Sequence, residues 1–298
     1  TILALFSRQH WIAELFSHFR MYYLLALALL ALIFLHRQHR ALLALTLLLA
    51  VPNAVPVVPY LTPFVVGKSI AGQPGAPVSI VAVNVNYHSD DYQSMLDYLF
   101  ATRADVVVVS EYTPAWESAL AVLDSTYPYR IGSSRVDPWG MAVFSKIPFA
   151  SAELLDLGIE GTVHARAVLD LGETQLEVFA AHLMVPTTRE GAAMRNRQLA
   201  ALAKFTSTSV HPRILVGDLN ITPVSPLFND FLNDAGLVDA RRPFGSHVTW
   251  PTSALPVWIP IDHCLADPRV PIQSVRTGRR FGSDHYPLEV TLQKPVGG

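Results

Sequence analysis

The sequence predicts an α/β fold: a four-layer sandwich of two mixed β-sheets flanked by helices, preceded by a hydrophobic helical hairpin. Three observations carry this. From Val78 onward, β-branched apolar runs alternate with helically spaced ones to the end of the chain. The stretches 163–171 and 174–182 are joined at Leu171-Gly172-Glu173, a turn that only antiparallel neighbours can share. Helical patterns flank only some of the connections, which excludes a single doubly wound sheet and a TIM barrel.

The hairpin comes first. Of 298 residues, 51% are hydrophobic and only 15% charged, and mean hydropathy is +0.31. That excess is concentrated near the N-terminus. Met21 to Leu35 is apolar without a break, and no charged residue occurs from Ala41 to Gly67. The first run would span roughly 22 Å as a helix, short of a hydrocarbon core of about 30 Å unless its flanks contribute. Prolines at 52, 56, 59 and 63 predict that the second helix ends near Val51. A pair of core helices would satisfy the same composition, but MYYLLALALLALIFL has no polar face to turn outward. The expectation is a membrane-associated region over 1–67, with residues 21–66 in the bilayer. Arg37 and Arg40 between the runs favour that loop on the cytoplasmic side and the rest of the chain outside, while Arg8 and Arg20 give the other end equal positive charge. A Pro/Gly linker follows at 68–77, and the domain proper covers 78–298.

Within it, strands are expected at Val78–Val85, Asp105–Val109, Tyr129–Gly132, Gly140–Phe144, Val163–Leu171, Leu176–His182 and Arg213–Val216. Four more follow at Val248–Trp250, Ile261–Ala266, Ile272–Arg276 and Leu288–Leu292. Helices are expected at Tyr92–Thr102, Pro114–Ser125 and Glu190–Ser207. The single cysteine, Cys264, allows neither a disulfide framework nor a thiolate metal site and reads as a small core residue.

Polar residues cluster where the buried strands end. Asn84 closes IVAVN, Glu111 follows DVVVVS, and His182 follows VFAA. Asp218 and Asn220 sit in Gly217-Asp218-Leu219-Asn220, where an extended path would put both on one face. An Asx-rich turn before Thr222-Pro223 is the competing reading. Asp262 lies in IPIDH and Asp284-His285 in GSDH, so an Asp from one strand could orient a His from another. His263 points to the opposite face from Asp262 and reads as structural. Hydrolysis of a phosphate ester needs a Lewis acid, an activated water and donors for the developing charge. Carboxylate and amide oxygens suit Mg²⁺ or Mn²⁺ as that acid. The Asp262–His285 pair predicts one activity-controlling ionisation near neutrality.

In this order the motifs resemble the endonuclease/exonuclease/phosphatase superfamily, related to DNase I, over about Val78 to Leu292. Gly140-Met141-Ala142-Val143-Phe144-Ser145-Lys146 and Val248-Thr249-Trp250 resemble further family segments. With the hydrophobic N-terminus, the chain is most similar to bacterial membrane-anchored members of unknown substrate, and the expected location is the bacterial inner membrane with the domain on the periplasmic side. The resemblance implies that Asn84 and Glu111 bind the divalent metal, with Asp284 in support. It implies that Asp218 orients or deprotonates the water, that Asn220 and His182 contact the phosphate, and that His285, held by Asp262, is the acid/base. Two departures stand out: Ser110 precedes Glu111 where many members have Gln, and the phosphate-contacting Tyr of the abasic-site enzymes has no counterpart.

Charge narrows the partner. Setting aside Arg8, Arg20, Arg37, Arg40 and Glu14, the chain from residue 41 carries 18 basic and 23 acidic residues, a formal charge of −5. Proteins that neutralise many DNA phosphates are usually basic. A small or lipid-linked phosphoester is therefore expected over duplex DNA, with Arg166, Arg195 and Arg197 as a local phosphate clamp. The rivals are a metal-dependent nuclease and a tethered binding protein without turnover.

Overall fold

The valine-rich runs form the central strands, because β-branched side chains pack well on a pleated surface covered on both faces. β1 (Pro77–Asn84) lies parallel to β2 (Val106–Ser110). They belong to a sheet of order β11-β12-β1-β2-β4-β3, completed by β3 (Tyr129–Ser133), β4 (Met141–Ser145), β11 (Ile272–Thr277) and β12 (Leu288–Gln293). The second sheet has order β5-β6-β7-β8-β10-β9. Its strands are β5 (Phe149–Leu155), β6 (His164–Asp170), β7 (Gln175–Ala180), β8 (Arg213–Asp218), β9 (Val238–Asp239) and β10 (Asp262–Ala266). Each sheet mixes parallel and antiparallel pairs, and β6–β7 is the expected hairpin. The computed structural model describes residues 1–61, 76–253 and 257–295, so most of the expected linker at 68–77 lies outside the described residues.

Alternation along the strands builds three apolar layers. Ile80, Val106, Val108 and Val143 of the first sheet meet Val178, Ile214, Val216 and Cys264 of the second. The opposite faces are covered by helices. α4 (Tyr92–Thr102) and α5 (Pro114–Leu120) bring Met95, Leu99 and Trp116 against Val81, Val83 and Val107. α6 (Arg189–Ser207) and α7 (Pro226–Ala235) bring Leu202, Phe228 and Phe231 against Phe179, Leu215 and Leu265. Each such side chain, fully buried, contributes on the order of 1.5–3 kcal/mol. The four-layer sandwich is the observed architecture.

Three elements escape the pattern reading, and one expected strand is absent. β5 is an edge strand with an exposed run of side chains, so it lacks alternation. β9 has two residues. α7 starts at Pro226 and stops at left-handed Gly236, a start-and-stop signature carried by the sequence itself. Val248–Trp250 forms only an isolated bridge, Trp250 to Ile259.

The N-terminal segment holds α1 (Trp11–Ser17), α2 (Arg20–His36) and α3 (Arg40–Leu61), with α2 and α3 packed as a hairpin. α3 does not end near Val51. It runs through Pro52, Pro56 and Pro59. The carbonyl of Pro52, which Pro56 cannot bond for want of an N–H, accepts Arg20 Nη1 at 2.6 Å instead. Leu29, Leu32, Leu48 and Val55 are 60–70% exposed, an uncovered apolar surface rather than a core. Among the described residues α3 alone, with mean hydropathy 2.2, is long and apolar enough to cross a membrane. α1 and α2 would form a second span only if counted together across a 61° bend.

Candidate active site

β1, β2 and β8 deliver side chains from their C-terminal ends to one rim of the sandwich, β10 delivers its first residue, Asp262, and the chain just beyond β7 delivers His182. Asn84 and Ser110 are register partners at the ends of β1 and β2, and Asp218 and Asp262 are partners across β8 and β10. The two sheets meet through side chains here: Asn84 Nδ2 donates to Glu111 Oε1 at 3.0 Å and to Asp218 Oδ2 at 3.2 Å.

Local backbone explains why these residues reach the rim. Glu111 has a left-handed φ of +62°, which turns its carboxylate back toward Asn84. Its other oxygen accepts the Tyr87 backbone N–H at 2.8 Å. Gly217 is required: its φ is +134°, and a Cβ there would stand 2.1 Å from the Ala181 carbonyl oxygen. That close approach brings the end of β7, and so His182, beside Asp218. The extended path expected for 218–220 is absent. Asn220 has φ +49°, and its N–H donates to Asp218 Oδ1 at 2.9 Å, so the segment is an Asx turn. Asn220 Nδ2 donates to the Leu183 carbonyl at 2.8 Å.

Two imidazoles flank Asp218. His182 Nε2 is 3.8 Å from Asp218 Oδ2 and His285 Nε2 is 3.7 Å from the same oxygen. His182 is fixed by Nδ1 at 3.2 Å from the Pro138 carbonyl and by Trp139, whose ring centre lies 5.0 Å away. The expected pairing of Asp262 with His285 is present, Oδ2 to Nδ1 at 2.9 Å. Thr249 Oγ accepts the Asp262 N–H, and Ser283 Oγ bonds the Asn84 carbonyl and the His285 N–H, stitching the GSDH turn to β1.

Electrostatics single out Asp218. Burial pushes its pKa up, Asp262 pushes it further, and His285 and His182 pull it back, leaving it at about 6. Burial disfavours the His285 imidazolium, but Asp262, then Asp218 and Asp284, outweigh it and lift its pKa to about 10. Burial and Asp262 bring Asp218 toward neutrality, whereas its carboxylate neighbours lift His285 above it.

Asp218, Asp262 and His285 place ligand-type atoms within 4.8 Å of one another. Glu111 and Asn84 adjoin this group through the Asn84 amide. Asp284 Oδ2 accepts the Trp250 indole N–H at 3.1 Å. The arginine clamp fails. Arg166 is paired with Glu177 and Glu153, and buried Arg195 with Glu14. Arg197 sits on the outer helix α6. His263 is structural: fully buried, it contacts the Ile221 carbonyl and Arg241. Residues that sequence reasoning missed are Trp139, Tyr87 and Ser283. Ser283 stood inside a quoted motif, whereas the other two act by ring contact or backbone and leave no pattern.

A model of the endonuclease/exonuclease/phosphatase family matches residues 81–285. Among curated proteins nothing matches. Solved structures do. TDP2 of D. rerio complexed with single strand DNA product is 18% identical, covering 74% of this chain and all of that one, with a TM-score of 0.63. Sphingomyelinase C from Streptomyces griseocarneus is 20% identical over 72% of this chain and 99% of that one, at 0.56. A family protein from Leptotrichia buccalis is 13% identical over 73% and 100%, at 0.60. At these identities the likeness establishes the fold.

Proposed function

Since this chain belongs to the endonuclease/exonuclease/phosphatase family, we propose that it is a membrane-tethered, divalent-metal-dependent phosphoesterase whose water-activating group is Asp218. One observation carries the reading. A buried carboxylate with a pKa raised to about 6 stands between two imidazoles and one amide at the rim where both sheets end.

Glu111 and Asn84 would hold Mg²⁺ (or Mn²⁺), with Asp284 in support. The fit rests on donor chemistry: a carboxylate and an amide carbonyl are hard oxygen ligands, and the Asn84 oxygen, bonded to one N–H at 3.0 Å, keeps a second lone pair. When bound, the ion would neutralise phosphoryl charge as a Lewis acid. Asp218, ionised above about pH 6, accepts a hydrogen bond from the attacking water and takes its proton. His285, kept protonated by Asp262, offers Nε2–H to a phosphoryl or departing oxygen. His182 and the free Nδ2 hydrogen of Asn220 serve the remaining phosphoryl oxygens. Because Asp262 and Asp218 keep His285 protonated, leaving no lone pair on Nε2, we read the Asp218–Asp262–His285 group as acid/base machinery rather than as a second metal site.

Residues 78–298 are the proposed catalytic domain and 1–67 its anchor, with 21–66 in the bilayer. Support comes from the apolar surface of α2 and α3 and from α3's length. Arg37 and Arg40 at the hairpin tip favour the outward-facing side for the domain. The formal charge of −5 and the loss of the arginine clamp favour a small or lipid-borne phosphoester over duplex DNA. The nuclease reading draws on the DNA product in the TDP2 structure. A panel decides: the full chain in detergent with Mg²⁺ is given plasmid DNA, phospholipid and small phosphodiesters. A higher kcat/KM on phospholipid or a small ester is expected, and a higher value on DNA would promote the nuclease reading.

A further inference from the structure

The N-terminal segment does more than tie the domain to a surface. α1 places Glu14 inside the catalytic domain, where it is 1% exposed. Glu14 Oε2 accepts Arg195 Nη2 at 3.0 Å, and Arg195 is itself fully buried in α6. Glu14 Oε1 accepts Ser225 Oγ at 2.9 Å and lies 3.3 Å from His18 Nε2. One turn on, His18 Nδ1 is 2.9 Å from Thr222 Oγ. The second arm of Arg195, Nη1, donates to the carbonyl of Asn220 at 3.1 Å. Every partner outside α1 is on α6 or in the loop 218–225, which carries Asp218 and Asn220. A division of the chain at residue 67 therefore separates two halves of one buried ionic network.

We propose that α1 is a positioning element of the active site: Glu14 and His18 clamp the 218–225 loop, and Glu14 sets Arg195 against the Asn220 carbonyl. The physical reason is that Asn220 sits in a left-handed turn, a conformation that Asn reaches through local hydrogen bonds and keeps as a single state only when its surroundings fix it. The hydrogen bond from Arg195 fixes one end of that turn and the Asp218 carboxylate the other. Arg195 can do so only while its charge is compensated, and the compensating carboxylate comes from the segment that leads into the hairpin. A catalytic domain cut away from residues 1–61 would leave Arg195 without its counterion.

Two readouts on the full chain in detergent test this, and the first does not depend on any activity. In Glu14→Gln, amide hydrogen exchange across 218–225 should rise at least tenfold while the strands of the second sheet stay protected. Unchanged exchange in the loop overturns the clamp, whatever the enzyme does. The second readout rests on the proposed phosphoesterase activity, with bis(p-nitrophenyl) phosphate and Mg²⁺ as probe. Arg195→Lys keeps the pair with Glu14 but cannot span both partners, so kcat should fall about tenfold with thermal stability nearly kept. The double variant Glu14→Met/Arg195→Met removes both charges, and its melting temperature should recover relative to Glu14→Met while kcat stays low. Recovery of kcat together with melting temperature, or parental kcat in Arg195→Lys, would show that the network only stabilises. Loss of turnover in the parent itself would sink the phosphoesterase reading and leave the exchange result to decide the clamp.

Discussion

Asp218 and Glu14 are both buried carboxylates, and their surroundings treat them in opposite ways. Glu14 is met by Arg195, Ser225 and His18 within 3.3 Å. Burial raises its pKa, but His18 and Arg195 win and hold it at about 2. Asp218 has two histidines near 3.7–3.8 Å, too far for direct hydrogen bonds, and a second carboxylate opposite it in register. Its pKa is held at about 6. A satisfied buried charge is an anchor, whereas one left with spare acceptor capacity in a polar cleft is poised for a proton. The comparison separates structure from chemistry without reference to any relative.

The contrast can be broken most sharply at Asp218. Asp218→Ala should lower kcat by on the order of 10² or more, because positioning and proton acceptance vanish together, while the melting temperature holds or rises. Steady-state rates beside a thermal melt check this, and a parental kcat would end the assignment. Asp262→Asn comes next. Asp262 raises the pKa of both Asp218 and His285, so its removal should move the acid limb near pH 6 and the alkaline limb near pH 10 downward. Turnover should drop about tenfold, and a pH–rate profile that overlays the parent's would uncouple the three groups.

How much of this was readable in sequence follows the same division. β1, β2, β7, β8 and β10 announce themselves as apolar runs, with Asn84, Glu111, His182 and Asp218 at or just past their ends, Asp262 at the start of β10 and His285 shortly before β12, so each rim residue is legible singly. Period 2 failed at Asn220 because an Asx turn, a local hydrogen bond between Asp218 and the Asn220 N–H, overrides the strand. The arginine clamp failed because composition cannot tell an arginine facing substrate from Arg195, whose counterion lies 181 residues earlier in the chain. At Pro56 the expected helix stop is offset because Arg20, also distant in sequence, takes the freed Pro52 carbonyl. Local rules reached local features, and the long-range ion pairs stayed hidden.

Smaller effects sharpen the Glu14 side of the comparison. With a pKa near 2 in the fold against an ordinary 4.5, Glu14 stabilises the folded state fully above about pH 4.5 and loses that contribution as pH falls toward 2. Glu14→Gln should therefore be less stable than the parent by about 3–5 kcal/mol at pH 7, with the gap narrowing through that window. Denaturation at several pH values reads it, and a gap independent of pH would show that the charge is not what matters. Arg8 and Asp230 form an ion pair of similar length, 2.7 Å, but with side chains 57% and 44% exposed. Removing Arg8 should change stability by less than about 1 kcal/mol. A larger loss would mean that the N-terminal segment is held by its surface rather than by its buried network.

The central claim, that this rim is a metal-dependent phosphoester-hydrolysing centre, is tested most directly by a Mg²⁺ titration. The full chain in detergent is stripped with EDTA, assayed on bis(p-nitrophenyl) phosphate, and then resupplied with Mg²⁺, alongside Glu111→Gln. Turnover should vanish on chelation, return in proportion to occupied sites, and need a higher Mg²⁺ concentration in the variant. Full turnover by the chelated protein, or an identical Mg²⁺ dependence in Glu111→Gln, would contradict the account.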